Sequence, residues 1–145
     1  LRYHNISTIM FFNPEISAIG LTEKECQSKN ISYKVITYQH SIIARAIAMR
    51  ETDGFFKIIV TNEDNPLILG MRAGGLQAAV SIIFIAGIMN NHTRLNDIMK
   101  TLHPHPSISE GIQECLRILK GKSIMKPAAF PEQIKVKVWK REKVE

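Results

Sequence analysis

His105 and Glu110 stand five positions apart in the run Leu102-His103-Pro104-His105-Pro106-Ser107-Ile108-Ser109-Glu110. An imidazole titrates near the working pH, and a carboxylate beside it fixes its tautomer and stabilises the imidazolium, so the two types together suit general acid/base chemistry. If a helix follows the loop, His105 sits just before it and Glu110 in its first turn. The carboxylate can then return towards the ring, leaving the other nitrogen for a substrate. Pro104 and Pro106 stiffen the loop and limit the positions of the imidazole. The same residues have a plainer reading: Ser107 and Glu110 fit a capping box, Pro106 is well placed just before a helix, and two loop histidines need no function. If Ser107 opens the helix, its cap and His105 compete for Glu110, and the expectation is that the histidine wins.

Little else in the chain has spacing suited to chemistry. Cys26 and Cys115 are the only cysteines, without a C-x-x-C pair or metal-ligand cluster around them. Two isolated thiols suit a reducing, cytoplasmic setting. There is no G-x-G-x-x-G loop, and Gly74-Gly75 lacks the spacing of one. No run reaches the ~18 apolar residues of a membrane span, so no membrane partner is expected. The richest run, Ala78 to Met89, is interrupted by Ser81 and reads as a buried helix.

The net charge of +6 is unevenly spread: residues 1–116 hold 10 Lys+Arg and 10 Asp+Glu, residues 117–145 hold 9 and 3. A basic tail can bind polyanions. Here, however, Lys135, Lys137 and Lys140 alternate with Val136, Val138 and Trp139 as in an exposed edge strand guarded by lysines. No recognition module accompanies them, so a nucleic-acid partner is not expected.

The elements that must position the pair are grouped, not strictly alternating. Ser7 to Phe12 reads as a strand stopped at Asn13-Pro14, and Ile16 to Leu21 continues extended until Gly20 permits a bend. Thr22 and Glu25 form a capping box for a short helix running towards Asn30. Tyr33 to Gln39 alternates as a strand with one covered face. Ser41 to Arg50 is a short helix or an irregular excursion. Phe55 to Thr61 and Leu67 to Arg72 flank the polar turn 62–66 as a hairpin. Leu76 to Met89 is apolar all round its wheel, so it should be buried on most sides, under the sheet or against another subunit. Helices from Arg94 to Leu102 and from Ser107 to Leu119 follow, the second with Ile108, Ile112, Cys115, Leu116 and Leu119 on one face. The pattern implies an α+β fold, an antiparallel sheet packed with helices, in one domain.

The H-x-H-P-S-x-S-E run is similar to the H-x-H-P-T-x-S-E signature of dihydrolipoamide dehydrogenases and their glutathione reductase relatives, with Ser107 in place of threonine. Phe12-Asn13-Pro14-Glu15-Ile16-Ser17-Ala18-Ile19-Gly20-Leu21-Thr22-Glu23 resembles the opening of that family's dimerisation domain. Gly54-Phe55-Phe56-Lys57 and Ile68-Leu69-Gly70 follow in the family's order. The resemblance implies a glutathione reductase-type dimerisation domain over residues 1–120, with 121–145 a basic extension that could add an edge strand. It further implies a homodimeric, FAD- and NAD(P)-dependent oxidoreductase in which N-terminal domains hold the cofactors and the catalytic disulfide. His105, steadied by Glu110, would then serve the partner subunit's disulfide centre from an exposed edge of the domain, the pair pointing away from its own core; the backbone at His105 and Pro106 would approach the partner's flavin, and a cis bond before Pro106, as in some relatives, would turn the ring out of the helix path. No metal is implied. Because the chain opens at Leu1 and lacks those domains, it is expected to be a fragment, inactive alone and binding neither FAD nor a nicotinamide nucleotide. A mercuric reductase-like relative fits less well, since those enzymes generally lack the histidine and end in paired cysteines. A free-standing dimerisation module without catalysis is the remaining alternative.

Overall fold

The computed structural model describes residues 5–123 and 126–141. Its strands are β1 (Thr8–Met10), β2 (Ile16–Gly20), β3 (Tyr33–Gln39), β4 (Phe55–Thr61), β5 (Ile68–Gly74) and β6 (Ile134–Trp139). They form one antiparallel sheet in the order β1-β2-β5-β4-β3-β6. The helices are α1 (Glu23–Ser28), α2 (Ala44–Met49), α3 (Ala78–Asn90), α4 (Leu95–Ile98), α5 (Glu110–Leu119) and α6 (Lys126–Ala129), with a 3-10 turn at His40–Ile42. The expected antiparallel α+β architecture is therefore the one observed.

Local chemistry explains most boundaries. Gly20 has a φ of +66°, a conformation that costs glycine nothing, and the chain turns there from β2 into α1. At the start of α1 the Glu25 amide donates to Thr22 Oγ1 (3.2 Å) while the Thr22 amide donates to the Glu25 carboxylate (2.7 Å), the reciprocal pair foreseen from the sequence. The β4–β5 hairpin forms around the polar turn, running from Phe55 opposite Gly74 to Val60 opposite Ile68.

The main core lies on the sheet face covered by α3 and α5. Ile36 and Tyr38 of β3, Phe56, Ile58 and Val60 of β4, and Met71 of β5 meet Ile82 and Ile85 of α3 and Ile112, Cys115 and Leu116 of α5. β3 differs from expectation in having both faces covered. Its other face puts Tyr33 and Val35 against Ile59 and Cys26 of α1, with Leu21, Ile31, Leu69 and Trp139 around them. Alternation along β3 cannot reveal this, because the cover comes from a helix brought back over the sheet.

The helix at Leu76 to Met89 forms as α3 but is not enclosed by its own chain: Ala78, Ser81, Ile82, Ile85 and Met89 are buried, while Val80 and Ile83 are 69% and 63% exposed. Its N-terminal end is tied to the sheet by Ser17 Oγ, which donates to the Ala78 carbonyl (2.8 Å), and by Glu15, whose carboxylate accepts from the Ala79 amide (2.8 Å). The helix expected from Arg94 to Leu102 is only the single turn of α4. The expected edge strand is β6, which pairs with β3 from Tyr33 opposite Trp139 to Tyr38 opposite Ile134.

Candidate active site

The first turn of α5 presents Glu110, and close packing decides where that turn lies. A Cβ on Gly111 would come within 2.5 Å of Ile43 Cδ1 and 3.0 Å of Phe56 Cε2, so only glycine lets the helix settle so near the core. One turn on, Gln113 Nε2 donates to the Thr101 carbonyl (3.0 Å), holding the start of the preceding loop to the helix. His103 is fixed from the other side, its ring edge-on to Phe84 of α3 with centroids 5.7 Å apart and planes at 88°. Burial lowers the His103 pKa, against the opposing pull of the Glu110 charge.

Between these anchors His105 Nδ1 lies 2.9 Å from Glu110 Oε1. The imidazole is 73% exposed and the carboxylate 28%, so the ring projects from the domain while its partner is set back against it. The bond preceding Pro106 is cis. Glu110 Oε2 accepts from the Ser107 amide at 2.7 Å. The expected competition for the carboxylate therefore does not occur. A carboxylate has two oxygens with several lone pairs, and here one serves the ring and the other the loop backbone. The helix also begins later than Ser107: α5 opens at Glu110, Ser109 is its N-cap without a side-chain cap bond, and Ser107 Oγ pairs with Ser109 Oγ at 3.0 Å.

A carboxylate facing Nδ1 favours the tautomer with hydrogen on that atom. Nε2 is then the proton acceptor, on a ring that is largely exposed. The arrangement can take a proton from a group brought to it from outside and return it.

Among the described residues no group of three His, Cys, Asp or Glu could hold a metal ion, and no helix is long and apolar enough to cross a membrane.

One chemically unusual residue escaped the sequence reading. His40 is fully buried, and neither ring nitrogen has a hydrogen-bond partner. It lies edge-on to Phe56 with centroids 4.7 Å apart, and burial pushes its pKa down to about 4. The signal was present: Ile36, Tyr38 and His40 continue the period of two that marks the core face of β3.

A family model described as pyridine nucleotide-disulphide oxidoreductase, dimerisation domain, matches residues 6–116. Dihydrolipoyl dehydrogenase 3 of Haloarcula marismortui is 33% identical over 122 residues, covering 84% of this chain and 25% of that protein. The dihydrolipoyl dehydrogenase of Bacillus subtilis is 28% identical over 124 residues, covering 86% and 26%. The chain thus spans about a quarter of the length of these relatives. Among solved structures, LpdA from Mycobacterium tuberculosis superposes with a TM-score of 0.75 at 26% identity, covering 82% of this chain and 26% of that one. The HOCl-induced flavoprotein disulfide reductase RclA from Escherichia coli gives 0.74 at 25% identity, covering 80% and 26%. With an antiparallel sheet, a family match over most of its length and dihydrolipoyl dehydrogenases among its relatives, the chain belongs to the dimerisation domains of the pyridine nucleotide-disulphide oxidoreductases.

Proposed function

We propose that this chain serves a homodimeric, FAD- and NAD(P)-dependent dihydrolipoamide dehydrogenase-like enzyme by presenting the His105–Glu110 pair to the disulfide centre of the partner subunit. The observation that carries the reading is the exposed imidazole held at 2.9 Å by a carboxylate whose second oxygen is itself fixed by the loop backbone. A histidine serving its own domain would not be so exposed, and one without a role would not need its tautomer set.

In the proposed reaction one thiol of a dithiol gives its proton to Nε2 of His105 as its sulfur attacks the partner's disulfide, breaking that S–S bond and releasing one cysteine as a thiolate; the second sulfur then displaces the other cysteine, its proton passing to the released thiolate, so that the dithiol leaves as a disulfide and the centre is left reduced. Glu110 stabilises the imidazolium, and the proton is returned when the centre is reoxidised. FAD, when bound, supplies the electron path between that centre and the nicotinamide. The backbone at His105 and Pro106 borders it across the dimer. The cofactors and the disulfide would be held by parts of the complete polypeptide beyond these 145 residues. A dithiol such as dihydrolipoamide is favoured as substrate by the names of the relatives. The two separated free cysteines suit a cytoplasmic enzyme.

The test uses the complete enzyme. His105→Ala should slow the dithiol half-reaction by roughly 10²- to 10⁴-fold, the scale of general acid/base catalysis, and leave flavin reduction by the nicotinamide nucleotide intact. Equal loss in both half-reactions, in rapid-mixing measurements, would refute the assigned role.

A further inference from the structure

β6 lies beyond the residues that match the family model and ends the sheet. Both of its ends are anchored. Ile134 is buried in the main core, and Trp139 stacks on Tyr33 with ring centroids 5.7 Å apart and planes 18° from parallel. Its outer edge is consequently held straight without a further strand. The Gln39 amide donates to the Gln133 carbonyl at 3.1 Å, and antiparallel alternation then makes Lys135, Lys137 and Trp139 the residues bonded to β3. The amides and carbonyls of Val136 and Val138 therefore point away from the sheet.

The side chains along this edge form a pattern. Val136 and Val138 are 47% and 53% exposed on one face, while Lys135 and Lys137 are exposed on the other. Glu23, whose carboxylate feels the charge of Lys137, is already paired with Lys57 at 2.5 Å, and neither Lys135 nor Lys137 forms an ion pair among the described residues. A second copy of β6 fits badly, because the antiparallel registers of greatest overlap put Lys135 opposite Lys137 or Lys137 opposite itself, and facing like charges are destabilising. A strand carrying carboxylates at those places reverses the sign of that contribution.

We propose that the outer edge of β6 is a docking site for an extended acidic segment of another protein, taken up as a further antiparallel strand, with carboxylates opposite Lys135 and Lys137 and apolar side chains opposite Val136 and Val138. Backbone pairing would supply affinity, and the alternating side chains would supply the choice of partner. The lysines that keep copies of this chain apart would select the acidic strand.

The probe is a dye-labelled, end-capped peptide of alternating valine and glutamate, titrated into the full 145-residue chain and followed by fluorescence anisotropy. Binding is expected for this peptide and not for its valine-lysine counterpart. Val136→Pro removes an outward amide without touching the β3 ladder, and should weaken binding at least tenfold with an unchanged circular dichroism spectrum. Should that variant fail to fold, the same loss is expected when the wild-type chain meets a peptide methylated on alternate amide nitrogens. Lys135→Glu with Lys137→Glu should exchange the preference between the two peptides. No binding at millimolar peptide, or binding indifferent to both the proline and the methylation, overturns the proposal. Displacement of the peptide by heparin or duplex DNA with unaltered Val136→Pro behaviour also overturns it, and would identify the tail as a polyanion site.

Discussion

Glu110 shows how far two oxygens can be stretched. Oε1 faces the His105 ring and Oε2 accepts from the Ser107 amide, so the same side chain sets the tautomer and fixes the loop. An amide in its place has only one acceptor oxygen for these two partners. Glu110→Gln should therefore lose about 0.5–2 kcal/mol of stability in thermal unfolding, the range of a lost cap bond, and also slow the dithiol half-reaction of the complete enzyme. Unchanged stability together with unchanged kinetics would show that neither bond matters. The pair itself was legible in the sequence, because both residues lie within one short run. The sharing of the carboxylate was not, since it depends on where the helix starts.

His40 is the opposite case, a buried imidazole set edge-on to Phe56 of the neighbouring strand. Its pKa is pushed down to about 4 by burial, against an ordinary value near 6.5. The unfolded chain thus binds a proton between those values while the folded chain does not, so stability is complete above pH ~6.5 and is lost as the pH falls towards 4. The contribution amounts to at most about 3 kcal/mol. Urea midpoints measured from pH 7.5 to 4.5 should decline less in His40→Phe than in the wild type, a substitution that retains the aromatic contact with Phe56. Parallel declines would mean that other groups account for the acid sensitivity.

At the scale of elements, local signals were read well and long-range ones poorly. The Thr22–Glu25 box, strand β3 and the β4–β5 hairpin depend on neighbours a few residues away, and each appears where its residues placed it. The length of α4 and the start of α5 depend on what packs around them. Gly111 decides the position of α5: its missing Cβ leaves room for Ile43 and Phe56. Gly111→Val adds a branched side chain to that contact, and its gain of only about 0.3 kcal/mol in helix propensity does not offset the crowding. It should cost about 2 kcal/mol or more by overpacking, seen as a lowered urea midpoint. In the complete enzyme it should also slow the dithiol half-reaction, because Glu110 is carried on the same turn. A variant as stable as the wild type would show that α5 can move outwards freely.

For the whole molecule, the apolar surface left by folding has a direction. Val80 of α3 and the 92%-exposed Leu102 line one hollow of about 310 Å³ with Phe84, His103 and Ile112, beside the loop that carries His105. Ile83 extends the same helix's apolar exposure. The sequence reading left open whether this helix was enclosed by the sheet or by a second subunit; the sheet accounts for one side, buried by β2 and β5, while the other lacks cover among the described residues. An exposed apolar patch of this kind suits an interface, and a two-fold arrangement lets one patch cover its own copy. The chain should accordingly sediment as a dimer at micromolar concentration without any other domain. Val80→Glu and Ile83→Glu should each shift it towards monomer with an unchanged circular dichroism spectrum, since both side chains are exposed within the protomer and a carboxylate there costs the folded monomer little. A wild-type chain that is folded but wholly monomeric would mean that contacts outside these residues are needed to hold the dimer. Dimers unaffected by either substitution would place the interface on another face, and His105 would then have to reach its partner by a different route.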